Sequence, residues 1–499
     1  MSIVSKIYES WSWIRKEILS QISGKVAFAL LIFLIAVSIY AALLMPPDYT
    51  KYWDVGSKWV DNPLNAPPEW ASYLGYTCIP QTYYDVRLIK PEVSEVSGRV
   101  VLKYNITYNL EVKDFPQGLR LKTDITVPQG VLNARIRMDI IKPDGTRLPA
   151  VIEKFVDLQN TSVISLNLDK PENIVVAILS AYKDLINVLS PEELSSLLGD
   201  IPIFPTKYIF GNLSYSETLR KVEVTPLPGK YVFIIDFSFR VSNLQSRDIL
   251  RSIEKSKEFS LLIKGTCYGL MGTDYKGRDL AEGLFYGFPI ALAIGLLVAL
   301  ASTVIGVIAG LVSGYYGGFV DELIQRVVDV MGSIPLLPIL ILVAQSIAKT
   351  YTREDKPIVM LFAIFAVLIA FSWGGLAIII RSMTLSIKSE LYVEAAKAIG
   401  ASNLRIITKH ILPQLVPYIA ASLVYSTPSA ILTEAGLSVL GIKHGFPTWG
   451  NILADARLNG TLTQWWWILP PGFLIAIVSL TFVLLGLAME KVVEPRLRR

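Results

Sequence analysis

Long uncharged apolar segments are the feature that most limits what this chain can fold into. A helix that crosses the hydrocarbon core of a bilayer, about 30 Å thick, needs roughly 20 apolar residues. Six segments meet this requirement, the fifth with a single charge at Glu434: residues 26–45, 289–313, 330–348, 357–380, 411–442 and 467–489. We therefore predict an all-α polytopic membrane protein with six transmembrane helices that contact the lipid bilayer.

The composition agrees with a membrane protein. Charged residues make up 18% of the chain, against about 25% in an average soluble protein. The sequence contains two cysteines and two histidines, His410 and His444, which excludes a disulfide-dense scaffold and a multi-histidine metal centre. We accordingly expect no metal site.

The first apolar segment has two interpretations. It resembles the apolar core of a cleaved signal peptide, but such cores usually have about 7–15 residues. The segment runs uncharged from Val26 to Met45. Its length favours an uncleaved transmembrane anchor.

The distribution of Lys and Arg predicts the orientation, because cytoplasmic flanks carry an excess of these residues. With the N-terminus inside, the inner segments carry 14 Lys and Arg residues and the two short outer loops carry 5. We therefore expect residues 1–25 and 490–499 in the cytoplasm of a cell whose plasma membrane holds the chain. Residues 46–286 then lie outside the cell.

The outer segment reads as a folded β-rich domain inserted between the first two helices. Polar and apolar residues alternate, as in half-buried strands, in residues 98–112, 119–127, 134–141 and 230–241. Pro143-Asp144-Gly145 is typical of a hairpin turn. Residues 172–200 read instead as one or two helices, the second starting at Ser190-Pro191. We predict a β-sandwich with a helical insertion.

Two sets of residues in this domain suggest extracellular modification. Asn105, Asn160 and Asn212 each stand in an N-x-Ser/Thr sequence, which is a glycosylation acceptor in secreted domains. Cys78 and Cys267 flank the domain near its ends. In an oxidising compartment they either form a disulfide or remain two unpaired cysteines.

The loop at 381–410 has the pattern of a short surface helix. Residues 387–399 favour a helix, and Gly400 stands at its natural end. Leu391, Ala395, Ala398 and Ile399 fall on one face. Ser402 or Asn403 can cap a following helix. This shape suits insertion into a groove of another protein, and it equally suits packing on the chain's own helices.

At this point the sequence resembles a known family. Glu394-Ala395-Ala396, Gly400 and Ile411-Leu412-Pro413 resemble the EAA signature of ABC-importer membrane subunits. Further blocks resemble the dipeptide/oligopeptide permease family, specifically its second-permease type. They are Gly272-Thr273-Asp274 with Gly277-Arg278-Asp279, Gly314-Tyr315-Tyr316-Gly317-Gly318 with Asp321, Arg326 with Asp329 and Pro335, Leu432-Thr433-Glu434, and Pro447-Thr448-Trp449-Gly450-Asn451.

The resemblance implies a type I ABC importer fold and a set of partners. A homologous second permease would form the pathway together with this chain, two ATP-binding subunits would drive it, and an extracytoplasmic binding protein would deliver substrate. Nucleic acid is not among the expected partners. The EAA loop would dock on an ATP-binding subunit through Glu394, Ala395, Ala396, Gly400 and Ala401.

The chain itself carries no Gly-Lys-Ser/Thr tripeptide, and hence no phosphate-binding Walker loop. We therefore expect it not to be an enzyme, with ATP and Mg²⁺ held by partner subunits and no cofactor of its own. Glu434 lies inside an apolar segment and Asp329 at the edge of one. Ionisable groups inside a membrane suggest function by default, and we interpret these two as gating or packing charges.

Several functional alternatives remain at this stage. The resemblance implies di- or oligopeptides as substrate, while oligosaccharides or nickel fit the same transporter class. The family's permeases of this type have only a short segment where the inserted domain stands, so the domain's role is open. It would dock the binding protein, brace the partner permease or contact substrate. A membrane receptor or an enzyme with a catalytic outer domain are remoter alternatives.

Overall fold

The computed structural model describes residues 19–96, 98–158, 163–168, 173–216, 221–242, 246–350, 356–459 and 464–493. Its helices are α1 (Ile22–Leu44), α2 (Tyr49–Trp53), α3 (Ile174–Ala181), α4 (Lys183–Ile186), α5 (Pro191–Asp200), α6 (Pro205–Ile209), α7 (Ser246–Glu254), α8 (Leu280–Tyr316), α9 (Gly318–Ser333), α10 (Leu336–Thr350), α11 (Lys356–Ser372), α12 (Gly374–Lys388), α13 (Leu391–Ala398), α14 (Asn403–Ile406), α15 (Leu412–Val439), α16 (Trp449–Leu458) and α17 (Trp465–Val493). Its strands are β1 (Thr82–Asp85), β2 (Glu92–Val96), β3 (Arg99–Leu110), β4 (Gly118–Thr126), β5 (Val131–Ile141), β6 (Arg147–Asp157), β7 (Val163–Leu168), β8 (Gly211–Ser216), β9 (Lys221–Pro226), β10 (Gly229–Val241) and β11 (Glu258–Lys264).

The chain divides into two compact units. Met1–Val55 and Leu280–Arg499 form one, called here the helical unit, and Gly56–Asp279 form the other, called the insert unit. The insert unit is therefore continuous in sequence and interrupts the helical unit. Residues 1–18 and 494–499, which include most of the two predicted cytoplasmic ends, lie outside the described residues.

Apolar helices of membrane-spanning length dominate the helical unit. Within the described residues, five helical stretches are long and apolar enough to cross a membrane: Ile22–Leu44, Leu280–Tyr316, Ile358–Lys388, Asn403–Val439 and Trp465–Met489. A sixth is present if the bent pair α9 and α10 is counted as one span. The polytopic helical architecture is confirmed at this level, and the count of six spans stays a prediction.

The third predicted segment, residues 330–348, is wrong as a single straight helix. Val330 belongs to α9, and the direction of the chain changes by 77° between α9 and α10. The break coincides with Pro335, because a proline pushes the preceding residue out of the helical region. Ile334 accordingly has φ −86° and ψ 123°. Hydropathy identified the apolar stretch but contains no information on its direction.

Other predicted boundaries also need correction. Helix α8 begins at Leu280 rather than at residue 289, so 280–286 belong to a helix of the helical unit and not to the insert. Residues 283–288 are uncharged as well, so the predicted start at residue 289 lay too late in the chain. Helix α12 extends to Lys388, beyond residue 380, and α15 ends at Val439. The loop helix predicted at 387–399 is α13, and it starts only at Leu391.

The insert unit contains two antiparallel sheets. One has the strand order β1-β11-β4-β7 and the other β2-β3-β10-β5-β6, while β8 and β9 form a separate hairpin. The sheets share one apolar core, in which Phe259 contacts Tyr104 and Phe237 with ring centroids 5.4 and 5.8 Å apart. The prediction of a β-rich domain is thus confirmed.

The period-two pattern predicted the main strands of this unit. In β3, Leu102, Tyr104 and Ile106 are buried while the residues between them are not, so one face packs on the core. The Pro143–Gly145 turn joins β5 and β6, which pair as predicted. Helix α5 starts at Pro191, where Ser190 and Glu193 form a reciprocal capping box.

The structure joins Cys78 and Cys267 in a disulfide with a Cα–Cα distance of 5.3 Å. Among the predicted glycosylation sites, Asn105 and Asn212 lie exposed on β3 and β8. Asn160 lies outside the described residues.

Candidate functional site

The segment 389–411 forms a helix–turn–helix at one end of the helical unit. Helix α13 ends before Gly400, which has φ +84° and is therefore in the left-handed region that glycine adopts without strain. Helix α14 follows and continues through a π-helical turn, Ile407–Ile411, into α15. The backbone of Ser402 starts α14 without a side-chain cap, so the predicted capping role is wrong for Ser402.

One side of α13 is exposed and the other is anchored. Leu391 and Ile399 are 83% and 86% exposed, and Glu394, Ala395 and Ala398 are exposed on the same helix. Val393 and Ala396 face the opposite way and are buried. The helix therefore packs on its own unit through one side and still presents a second, partly apolar surface.

Among the five predicted coupling residues, the structure thus separates two groups. Glu394, Ala395 and Gly400 are exposed. Ala396 is 7% exposed, and Ala401 is half-buried against the apolar cluster formed by α8, α12, α13 and α15. The last two residues support the segment from within, and this distinction was not accessible from the EAA pattern.

Polar contacts tie this segment to the end of α8. Tyr315 Oη donates a 2.9 Å hydrogen bond to Asn403 Oδ1. Lys388 Nζ donates to the Tyr315 carbonyl oxygen at 2.6 Å, which satisfies one of the carbonyls left open at a helix end. Sequence reasoning had placed Tyr315 in a family motif but had no signal for its partners.

A second tie joins α9 to α12. The guanidinium of Arg381 contacts both carboxylate oxygens of Asp321 at 2.5 Å, and Ser313 Oγ donates to the same carboxylate at 2.5 Å. A bidentate pair of this kind restrains orientation as well as distance. It therefore holds the start of α9 against α12.

Helices α8 and α12 also approach closely through small residues. A Cβ atom on Gly306, Gly310 or Gly314 would lie 2.7–2.8 Å from a backbone carbonyl oxygen of α12 or of Trp373, which precedes it. Such a spacing of four residues puts the three glycines on one helix face. The two helices are consequently in backbone contact along this stripe, as small residues permit between membrane helices.

A groove of about 620 Å³ lies among α8, α11, α15 and α17. Its lining combines hydroxyl-bearing and apolar side chains, and none of them is charged. The lining side chains that carry hydroxyl groups are Ser302, Ser372, Tyr418, Ser422, Tyr425, Ser426, Ser429 and Thr433. The sequence offered no way to select these residues, because serine and threonine occur on several faces of these helices.

Glu434 lies in a buried polar cluster rather than alone. Its carboxylate accepts hydrogen bonds from Ser438 and Thr448, both at 3.0 Å, and lies 2.8 Å from Nε2 of His444. Glu434 and His444 are 2% and 1% exposed. Asn451 Nδ2 lies 3.3 Å from His444 Nδ1. The cluster joins the end of α15 to the start of α16, and sequence reasoning missed His444 in it.

The other predicted gating charge has a different environment. Asp329 is exposed on α9 and borders a second cavity of about 320 Å³ between α9 and the α11–α12 region. The two predicted charges are therefore not brought together. Glu434 has a buried, hydrogen-bonded environment, whereas Asp329 is exposed.

The Gly272–Asp279 motif forms a compact turn inside the insert unit. Thr273 Oγ1 donates to the Pro63 carbonyl oxygen at 2.7 Å, and the buried Arg278 guanidinium pairs with Asp274. Backbone bridging also pairs Thr273 with Asp279. Gly277 has φ +78°, and a Cβ there would lie 2.9 Å from the Trp59 carbonyl oxygen. The motif thus packs residues 272–279 against residues 59–63, which are distant from them in sequence.

Within the described residues, no group of three or more His, Cys, Asp or Glu side chains is arranged to hold a metal ion. The candidate site therefore consists of a surface and a groove. The exposed side of α13 can contact another protein, and the Tyr315–Asn403 contact connects its segment to α8, which borders the groove.

Comparison with known proteins decides the family. The model of the family described as "Binding-protein-dependent transport system inner membrane component" matches residues 302–499. The dipeptide transport system permease protein DppC of Bacillus subtilis is 34% identical over 291 residues, which cover 58% of this chain and 88% of that protein. The chain belongs to the dipeptide/oligopeptide family of ABC transporter permeases.

Other members of this permease family are similarly close. The oligopeptide transport system permease protein OppC of Bacillus subtilis is 33% identical over 230 residues, 46% of this chain and 72% of that protein. A putative peptide transport system permease protein of Brucella suis is 36% identical over 234 residues, 46% of this chain and 74% of that protein. Membership makes the chain a multi-pass membrane permease, a class distinct from the ATPase subunits of such transporters.

Proposed function

We propose that this chain is one of two permease subunits of an ATP-driven importer of di- or oligopeptides. The observation that carries the proposal is the two-sided character of α13. The helix is held by Val393 and Ala396 and still exposes Leu391 and Ile399. Exposed large apolar side chains beside a charged residue are typical of a surface that another protein covers.

In this proposal, an ATP-binding subunit receives the exposed side of α13. Leu391 and Ile399 supply the apolar contact, Ala395 permits close approach, and Glu394 orients the helix or pairs with a basic group. Gly400 forms the turn that presents the helix. Ala396 and Ala401 keep the segment seated on its own unit.

Family membership supports the rest of the proposed assembly. A homologous second permease closes the pathway, two ATP-binding subunits hold ATP and Mg²⁺, and an extracytoplasmic binding protein delivers substrate. The chain crosses the plasma membrane six times, with α9 and α10 as one bent span and both termini in the cytoplasm. The insert unit lies outside the cell as a β-sandwich, and its exposed Asn105 and Asn212 are the glycosylation candidates.

The movement on ATP binding would pass from α13 to the groove through the contacts described above. A displacement of Asn403 would move Tyr315 at the end of α8 through their hydrogen bond. A displacement of Arg381 would move Asp321 at the start of α9 through their ion pair. The glycine stripe makes α8 and α12 move as a pair. Opening and closing of the groove would then follow the position of α13.

Peptide is the substrate class that the printed names of the relatives support. DppC and OppC of Bacillus subtilis are called dipeptide and oligopeptide permeases. Oligosaccharide and nickel stay as alternatives within the same transporter class.

Copurification tests the assembly. Affinity purification of the tagged chain in mild detergent should retain a sister permease and ATP-binding subunits. Ile399→Asp should weaken retention of the ATP-binding subunits while the sister permease stays bound. Leu458→Asp is the matched control, since Leu458 is an exposed apolar residue at the end of α16, outside the segment 389–411. Purification of the wild-type chain without any ATP-binding subunit would contradict the proposal.

A further inference from the structure

The groove among α8, α11, α15 and α17 presents hydroxyl groups in a regular row. Ser422, Ser426, Ser429 and Thr433 line it from α15. Their spacing of four, three and four residues places them on one face of the helix. Ser302 on α8 and Ser372 on α11 line the same groove. None of the groove's lining residues is charged.

The protons of several of these hydroxyls are already used. Ser426 Oγ donates to the Ser422 carbonyl oxygen at 2.8 Å, and Thr433 Oγ1 donates to the Ser429 carbonyl oxygen at 2.7 Å. Ser372 Oγ donates to the Leu368 carbonyl oxygen at 2.6 Å. A hydroxyl has one donor and two acceptor lone pairs. These oxygens therefore present acceptors, and not donors, to whatever enters the groove.

Ser302 supplies an independent observation. Its side chain is 5% exposed, and its Oγ has no hydrogen-bond partner within the described residues. A buried hydroxyl that stays unpaired costs free energy, and most Ser side chains inside helices avoid this by bonding to the preceding turn. The Ser302 side chain lines the groove with its Oγ shielded from the open space, so a bound group can pair with this hydroxyl once the side chain rotates.

We propose that this groove binds the backbone of a peptide through its amide N–H groups and its α-ammonium group. This inference rests on the proposed function and deepens it. Peptides differ in side chain, but every peptide carries backbone N–H donors, which match the acceptors of Ser426 and Thr433. The uncharged lining binds acidic and basic side chains alike without trapping either, since a charge in the lining would repel one class and hold the other.

The test uses isosteric removal of one acceptor in the complete transporter. Thr433→Val and Ser426→Ala each remove one hydroxyl at nearly constant shape, and each should raise the KM for tripeptide uptake about three- to tenfold. The loss should appear in KM more strongly than in kcat. Thr427→Val is the matched control, because Thr427 makes the same bond to its preceding turn on α15 but is 1% exposed and does not line the groove.

A second arm identifies the group that is recognised. Trialanine has backbone N–H donors, and its analogue with N-methylated amides lacks them. A trisaccharide of similar size serves as the carbohydrate probe. The wild-type transporter should prefer trialanine over the methylated analogue, and Thr433→Val should reduce that preference at least threefold. In the wild-type transporter, charged and neutral tripeptides should have similar KM values. In the Ser426→Asp transporter, the KM values of charged and neutral tripeptides should differ about tenfold or more.

The outcomes separate this inference from the proposed function. If wild-type proteoliposomes take up peptide and Thr433→Val behaves like Thr427→Val, the groove assignment is wrong and the peptide-importer proposal stands. The same conclusion holds if Thr433→Val raises the KM values of trialanine and of the methylated analogue by the same factor, because the analogue lacks the N–H donors that the hydroxyl would accept. If the wild-type transporter takes up the trisaccharide and no peptide, both proposals fall.

Discussion

Tyr315 Oη donates a 2.9 Å hydrogen bond to Asn403 Oδ1, which joins the last turn of α8 to the first residue of α14. These residues are 88 positions apart in the chain. The bond links the helix that borders the groove to the segment that contains the exposed α13 surface. We therefore expect Tyr315 to position this segment for coupling.

Tyr315→Phe should lower peptide uptake per ATP hydrolysed on the order of two- to tenfold, because one hydrogen bond of the link is lost. The measurement is parallel uptake and ATPase assays in proteoliposomes. Tyr316→Phe is the control, since Tyr316 is adjacent and 53% exposed. Equal coupling ratios for the two variants would show that the Tyr315 hydroxyl has no role in coupling.

Gly310→Ala should destabilise the helical unit although alanine favours helices. The new Cβ would lie 2.7 Å from the Ala377 carbonyl oxygen, so α8 and α12 must separate, at a cost of about 1–3 kcal/mol. We expect a lower thermal unfolding temperature in detergent and a lower transport rate.

The control is Gly472→Ala in α17, where a Cβ meets nothing within 4 Å. This change should leave stability equal or raise it by up to about 1 kcal/mol. A loss of stability at Gly472 as large as at Gly310 would argue against the backbone contact as the cause.

Glu434→Gln should destabilise the junction of α15 and α16. The amide group removes a charged acceptor from Ser438, Thr448 and His444, at a cost on the order of 3 kcal/mol. Thermal unfolding of the purified chain measures the effect. Glu322→Gln, on an exposed side chain, should change stability by less than about 0.5 kcal/mol.

A double-mutant cycle measures the interaction energy between Glu434 and His444 separately from their contacts with other residues. Because Glu434 and His444 are in contact, the double variant Glu434→Gln/His444→Gln should cost less than the sum of the single variants. Strict additivity would mean that the 2.8 Å contact contributes no coupling energy.

The buried Lys142 should make the stability of the insert unit depend on pH. Its Nζ donates to carbonyl oxygens of Gly211 at 2.6 Å and Tyr208 at 2.9 Å, and to Tyr182 Oη at 2.9 Å. Burial lowers the pKa of Lys142 to about 7, whereas an unfolded lysine has a pKa of about 10.4. Between these pH values the unfolded chain binds more protons, so stability rises with pH, by at most about 1.4 kcal/mol per pH unit.

Thermal melts of the full chain, followed by the β-sheet signal in circular dichroism, measure this slope. Lys142→Met should remove the rise between pH 7 and 10, while Lys183→Met, at an exposed position, should keep it. A Lys142→Met variant with the wild-type slope would assign the pH dependence to other groups.

Local patterns of the sequence were sufficient for the element types. Uncharged apolar length predicted α1 and α17, and alternation of Leu102, Tyr104 and Ile106 with polar residues predicted β3. Both signals depend only on neighbouring residues and on the period of one element. The bend at Pro335 was missed although it is also local, because hydropathy records composition and not chain direction.

The contacts that carry the proposed function depended on the tertiary structure. Asn403 was one of two candidate helix caps, and its side chain accepts a bond from Tyr315. His444 had no predicted role, and packing places it beside Glu434. The groove has Ser302 and Ser426 in one lining, from helices distant in sequence. Periodicity can name the buried face of a helix, but which distant face packs against it depends on side-chain shape and close approach of backbones. Sequence alone therefore determined the types of secondary structure and the family of this protein, and tertiary packing decided which side chains meet.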